Sequence, residues 1–208
     1  MRTSFVVLVP VKSLDRGKSR LAGIPDADRR ALAVAFALDT LAAARETPGV
    51  AEVVVVSDDD EAVAGALRLG CRSLPDTGDL NGSLRAAALR IDEIVGGGYP
   101  VALCADLPGL DAPALGQALS VVDVSSAWFV PDHLGIGTTM YAAPAARFAP
   151  RFGGGSRAAH LRAGAREITV AADRLRRDVD TLEDLVALAG LGLIGPHSGR
   201  AWASTTTS

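Results

Sequence analysis

Lysine is nearly absent from this 208-residue chain: of its 21 basic side chains only Lys12 and Lys18 are not arginine, and both fall in one loop. Cysteine is equally scarce. Cys71 and Cys104 match no metal-ligand spacing and sit among apolar neighbours, so they read as buried reduced thiols in preference to a disulfide. No apolar run approaches the roughly 18 to 20 residues that cross a bilayer, and the expectation is a soluble, cytoplasmic protein with no membrane partner. A net charge of −3 leaves no broad basic face, which counts against nucleic acid as a partner. The three histidines, His133, His160 and His197, lack ligand spacing and read as surface or structural groups. With no Gly-x-Ser-x-Gly elbow and no reactive cysteine context, acyl-transfer hydrolysis has no nucleophile. The absence of Gly-x-Gly-x-x-Gly after the first apolar run removes dinucleotide redox chemistry.

Apolar residues make up 49% of the chain and charged residues 22%, a composition that packs a core at a length that suits one domain. Short valine-rich runs over 5–11, 53–56, 101–105 and 127–130, bounded by Pro, Gly, Ser or Asp, read as buried strands. Helical spacing is found over 28–45, 61–69, 83–95 and 112–122, with shorter helices over 158–163 and 182–189. In the first helix Leu32, Phe36, Leu38 and Leu41 turn inward, and Arg29, Arg30, Asp39 and Arg45 are expected to face solvent. Strand alternating with helix predicts an α/β fold, a mostly parallel sheet covered on both faces, with ligands beyond the carboxyl ends of the strands. The domain is expected to span 1–195, and 196–208, ending in Ser-Thr-Thr-Thr-Ser, to be a disordered tail.

The loop after the first run carries Lys12, Arg16, Lys18 and Arg20, four cations within nine residues, opposed only by Asp15. Its Gly17-Lys18-Ser19 imitates a Walker A loop, but Lys12 stands where that motif needs glycine. What remains is a cluster suited to a polyphosphate, since lysine is a compact point charge for phosphate oxygens; a solvated surface turn is the plainer alternative. Asp106 comes directly after a buried run, where it either binds a hard cation through oxygen or caps a turn. Asp178 and Asp180 alternate along an extended segment and so share a face, although Asp180 is also placed to cap the helix near Leu182. Together these acids suit Mg²⁺, which takes few protein carboxylates and leaves positions for water and substrate phosphates. Phe152-Gly153-Gly154-Gly155-Ser156 opens a short helix, and Thr138 and Thr139 follow Gly135 and Gly137. Such turns make anion sites without net charge, or are simply flexible.

Taken in order, Val9-Pro-Val-Lys-Ser-Leu-Asp-Arg-Gly-Lys-Ser-Arg-Leu, Leu80-Asn-Gly-Ser-Leu, Ala105-Asp-Leu-Pro, Gly137-Thr-Thr, Phe152-Gly-Gly-Gly-Ser and Asp178-Val-Asp-Thr resemble one family. It is the 2-phospho-L-lactate / phosphoenolpyruvate guanylyltransferase family of coenzyme F(420) biosynthesis, and the resemblance covers about residues 5 to 190. It implies a single-domain, Rossmann-like sandwich of the nucleotide-diphospho-sugar transferase (glycosyltransferase-A-like) type. The implied activity joins GMP from GTP to a three-carbon phosphoacid and releases pyrophosphate, with a homodimer left open. By the same resemblance Lys12 and Lys18 bind the triphosphate, Asp106 is the principal Mg²⁺ ligand, and Asp178 or Asp180 is the second. Thr138, Gly153 and Ser156 would form the phosphoacid pocket, and Asn81, Gly82 and Ser83 part of the nucleotide-facing loop. The Arg-rich composition, with 37 alanines, suggests a high-GC bacterium, for which the resemblance favours phosphoenolpyruvate as acceptor. The Val-Pro-Val-Lys-Ser opening departs from the glycine-rich start of broader nucleotidyltransferases. Rival readings are an Asp-x-Asp glycosyltransferase, a molybdenum-cofactor guanylyltransferase and a catalytically silent nucleotide-binding regulator.

Overall fold

The valine runs become strands buried on both sides because neither of their faces is polar. In the computed structural model, which describes residues 4–12, 21 and 24–207, they form β1 (Phe5–Pro10), β2 (Val50–Val56) and β4 (Tyr99–Leu103). Side chains alternate across a strand. Val7, Val9, Val53, Val55, Val101 and Leu103 therefore enter one core cluster, and Val6, Leu8, Val54, Val56 and Ala102 enter the other. Four more strands complete the sheet: β3 (Arg72–Leu74), β5 (Trp128–Pro131), β6 (Thr138–Ala142) and β7 (Arg166–Glu167). The order is β3-β2-β1-β4-β6-β5-β7. Only β6, among the described residues, runs against its neighbours, pairing antiparallel with both β4 and β5.

Helices cover both faces. The first core cluster is closed by α1 (Asp26–Glu46), α2 (Asp60–Arg68) and α5 (Ala112–Ser120), through Leu41, Ala66 and Leu115. On the other side α3 (Leu80–Leu89) packs Leu84 and Ala88, and α4 (Ile91–Val95) packs Ile91. The single helix expected over 83–95 thus starts earlier, where the Asp79 carboxylate accepts from Gly82 N, and breaks at Arg90. Four short helices follow: α6 (Ser156–Arg162), α7 (Asp173–Arg176), α8 (Leu182–Gly190) and α9 (Pro196–Thr207). Cys71 and Cys104 are not joined in a disulfide, and burial pushes the Cys71 thiol up to about 11. Among the described residues no helix is long and apolar enough to cross a membrane.

Two expectations are corrected together. Residues 196–207 are the helix α9, not a disordered tail, and Asp39 of α1 is buried where solvent was expected. The Asp39 carboxylate accepts from His197 N at 3.0 Å and Ser198 N at 2.8 Å, and from the Ser198 hydroxyl. It supplies the orphan donors of the α9 N-terminus with an acceptor from another helix, and a negative charge there suits the helix dipole. Behind this cap Trp202 and Ala201 pack on a third cluster of Leu21, Ile24, Leu32, Phe36, Val179, Leu185 and Leu188. Helix α1 is accordingly apolar on two sides, one toward the sheet and one toward α8 and α9. Arg30 is likewise not free: it pairs with Asp59 at 2.9 Å and Glu61 at 3.4 Å.

Candidate active site

A cavity of about 460 Å³ opens at the carboxyl edge of the sheet, lined by Pro10 at the end of β1, Cys104 and Asp106 after β4, and Asp132 after β5. Because β6 is reversed, its first residue, Thr138, lies at this same edge and joins the lining. Gly153, Gly154, Gly155 and Ser156 form another wall, and Asp178 and Asp180 close the cavity from the segment between α7 and α8.

Asp106, Asp178 and Asp180 each offer a carboxylate oxygen within 4.8 Å of the others. Backbone joints set this convergence. The Asp106 carbonyl accepts from Val179 N at 2.9 Å, and Val179 is fully buried, so its two acidic neighbours turn the other way, as the alternation predicts. The alternative in which Asp180 caps α8 does not hold: Thr181 is the cap, in a reciprocal box with Asp184. On the far side of Asp106 stands Thr40 of α1, fully buried. Its hydroxyl proton lies between the Phe36 carbonyl at 2.9 Å and the Ala105 carbonyl at 3.3 Å, and Oγ1 accepts from Leu107 N at 3.2 Å. One hydroxyl therefore holds the chain on both sides of the acid.

Burial, with the charges of Asp106, Asp180 and Asp132 added to it, pushes the Asp178 carboxyl up to about 6. A cation placed among these groups reverses that penalty. The donors are all carboxylate oxygens, the set that suits a hard divalent cation over one that seeks sulfur or imidazole. The residues present fit such an ion.

The opposite wall carries no formal charge. Gly153 and Gly155 hold φ of 130° and 70°, a left-handed turn that side chains resist, and it delivers Ser156 buried at the start of α6. Asn81 pins this turn from α3: its side-chain N–H donates to Phe152 O at 3.0 Å and its Oδ1 accepts from Phe152 N at 2.8 Å. Thr138 Oγ1 meets His160 Nδ1 at 3.0 Å. Thr139, the next residue of the strand, points to the other face and donates to Leu175 O at 2.7 Å.

Two of the residues expected on the nucleotide side, Lys12 and Ser83, meet at Asp76. Lys12 Nζ donates to Gly78 O at 2.5 Å and lies 3.7 Å from Asp76. Ser83 is buried, and its hydroxyl donates to Asp76 at 2.5 Å while accepting from Thr77 N at 2.8 Å. Burial pushes the Asp76 carboxyl up, but the Ser83 hydroxyl, Gly78 N–H and Lys12 outweigh it and hold the group below its ordinary range. Gly82 donates its N–H to Asp79. Lys18, with Arg16 and Arg20, lies outside the described residues.

Sequence reasoning missed three contributors. Asp132 follows a strand directly, as Asp106 nearly does, and that position was its signal. His160 lies four residues after Ser156, on the same helical face. Thr40 left no signal, since the partners that tie it to the site, Ala105 and Leu107, lie more than 60 positions away.

The fold, a mostly parallel sheet covered on both faces, is similar to that of solved nucleotidyl and nucleotide-diphospho-sugar transferases. A candidate transferase of that type from Desulfovibrio desulfuricans G20 matches it with a TM-score of 0.65, covering 89% of this chain and 86% of that one at 18% identity. The chain belongs to the family described as Guanylyl transferase CofC like, whose model matches residues 5–192. Two relatives named phosphoenolpyruvate guanylyltransferase are similar to it. The one from Thermomonospora curvata is 44% identical over 204 residues, covering 94% of this chain and 87% of the relative. The one from Streptomyces scabiei is 42% identical over 206 residues, covering 95% of each.

Proposed function

We propose that this protein joins GMP from GTP to the phosphate of phosphoenolpyruvate and releases pyrophosphate, as a step of coenzyme F(420) biosynthesis. Family membership and the names of the relatives support the reaction and the acceptor. The observation that carries the reading to this chain's own atoms is a single cavity with three converging carboxylates on one wall and uncharged donors on the other. Both substrates are cytoplasmic metabolites, which is where the activity belongs.

The acceptor brings its own nucleophile, a phosphate oxygen already largely ionised at neutral pH because the second phosphate pKa is about 6. That oxygen attacks the α-phosphorus of GTP, and the bond from this phosphorus to the pyrophosphate oxygen breaks in line. No general base is required, so the residues' work is to bring two anions together. Two unit charges 4 Å apart interact by about 4 kcal/mol at an effective dielectric near 20, so uncompensated approach would be prohibitive. Asp106, Asp178 and Asp180 would hold Mg²⁺, and when bound the ion supplies Lewis-acid neutralisation of the triphosphate oxygens. Lys12 and Lys18 take the triphosphate, Lys12 by exchanging Gly78 and Asp76 for phosphate oxygens. Asn81, Gly82 and Ser83 shape the nucleotide side, and Thr138, Gly153 and Ser156 receive the phosphoacid through hydrogen bonds.

Pyrophosphate release tests the reading. GTP with phosphoenolpyruvate is expected to react faster than GTP with 2-phospho-L-lactate or 3-phospho-D-glycerate, and faster than ATP with any of them. Release no greater than a control lacking acceptor, with all three acids, would leave a nucleotide-binding protein without this activity.

A further inference from the structure

We propose that His160 is a positioning residue: its ring proton fixes the Thr138 hydroxyl as a hydrogen-bond donor into the cavity, and so makes that wall select an anionic oxygen of the acceptor. The inference rests on reading this wall as the phosphoacid site.

The ring of His160 is fully buried and cannot turn. It stacks on Tyr141, with centroids 4.7 Å apart and planes at 19°, and on Phe129 at 5.4 Å, with the Phe152 edge at 6.0 Å. Its Nε2 accepts from the backbone N–H of Arg151 at 2.9 Å. A backbone amide only donates, so Nε2 carries the lone pair and the one proton of the neutral ring resides on Nδ1. Burial, reinforced by the Arg151 charge, lowers the imidazole to about 4 and keeps the ring neutral.

Nδ1 faces Thr138 Oγ1 at 3.0 Å. The threonine hydroxyl cannot donate to a nitrogen that already bears hydrogen. Its own proton must go elsewhere, and among the described residues Oγ1 has no second hydrogen-bond partner. Thr138 lines the cavity beside Gly153 and Ser156. A hydroxyl held in this way offers a bound molecule one donor, which rewards a carboxylate or phosphate oxygen.

The asparagine amide reaches about as far as histidine Nδ1, and the glutamine amide about as far as Nε2. His160→Asn therefore keeps a donor for Thr138, whereas His160→Gln keeps only an acceptor for Arg151. With GTP saturating, His160→Gln is expected to raise KM for phosphoenolpyruvate about tenfold with little change in kcat or in KM for GTP, and His160→Asn to recover most of the loss. Thr138→Val should raise the same KM, and adding His160→Gln to it should cost nothing more. If Thr138→Val raises KM but His160→Gln has no effect, or an effect that simply adds, His160 is a core histidine and the inference falls alone. If Thr138→Val leaves KM unchanged, the assignment of the wall falls and takes the inference with it. Should the glutamine variant fail to fold, nitrogen NMR of the protein with His160 in place decides, with His133 and His197 substituted in turn to assign the rings. A protonated Nδ1 on His160 is required, and a protonated Nε2 overturns the proposal.

Discussion

On one wall of the cleft three carboxylates converge to within 4.8 Å of one another; on the other a threonine, a serine and three glycines present donors without formal charge. The acidic wall is held against its own repulsion by a backbone joint, Val179 N to Asp106 O, on one side and by the Thr40 hydroxyl on the other. The neutral wall is held by side chains, Asn81 on Phe152 and His160 on Thr138. On the proposed reading of the cleft as a site for two anions, the two walls act differently: the acidic one would require a cation before accepting phosphate, and the neutral one would bind an anion without one. Substitutions on the first wall should reach kcat and metal affinity, and substitutions on the second should stay within the acceptor KM.

The sharpest test of this division is Asp106→Asn. The amide keeps the shape and the backbone joint but removes a charge, and kcat/KM should fall by on the order of 10³, the several kcal/mol expected of lost metal-centred charge stabilisation. The melting temperature without metal should hold or rise, since one of the charges that press on Asp178 is gone. Turnover near that of the unaltered protein would remove the acidic wall from the chemistry.

Thr40→Val probes the joint instead of the charge. Valine fills the same space without the hydroxyl, so Leu107 N loses its acceptor and the chain around Asp106 loosens. Buried polar groups left unsatisfied cost about 1–3 kcal/mol, and a group that orients a metal ligand commonly changes metal affinity by about 10–100-fold. Calorimetric titration with Mg²⁺ should show weaker binding near the lower end of that range. Unchanged metal affinity, alongside a lowered melting temperature, would reduce Thr40 to a packing residue.

How much of this is legible in the sequence differs between the walls. Asp106, Asp178 and Asp180 stand out because strand ends and alternation are local patterns, and β1, β2 and β4 each carry a short continuous apolar run. Strand β6 reads as a loop: Thr138-Thr-Met-Tyr-Ala is buried throughout and has no alternation, and its two threonine hydroxyls meet His160 and Leu175, which no local pattern reveals. The same limit explains α9. A segment rich in Ser and Thr looks like a tail until its cap is found on Asp39, 158 positions earlier. Edge strands of two or three residues, β7 and β3, are too short for any period to register.

The acidic wall should also declare itself in pH dependence. In the metal-free protein the Asp178 carboxyl is raised to about 6, against an ordinary value near 3.8. A carboxyl raised by folding favours the folded state fully only below its unfolded pKa, and that contribution is lost as pH climbs from the unfolded toward the folded value. Metal-free stability should therefore lose this contribution between about pH 4 and pH 6. A divalent cation binds the ionised form, so the rise in melting temperature on adding Mg²⁺ should be larger near pH 7.5 than at about pH 5. An equal rise at both would place the bound ion away from Asp178.

The smallest effect on catalysis is expected where neither wall is touched. Asp39 and Thr40 are neighbours on α1, yet one caps α9 and the other holds the chain around Asp106. At Gly195 a Cβ would collide with the Asp39 carboxylate, so Gly195→Ala must push α9 from its cap at a cost of about 1–3 kcal/mol. The melting temperature should fall while kcat, both KM values and Mg²⁺ affinity hold. Gly195 N also donates to Pro108 O at 2.7 Å, two residues beyond Asp106. If Gly195→Ala weakens Mg²⁺ binding as Thr40→Val does, strain passes from the C-terminal helix into the acidic wall through that bond, and the wall's rigidity belongs to α9 as much as to α1.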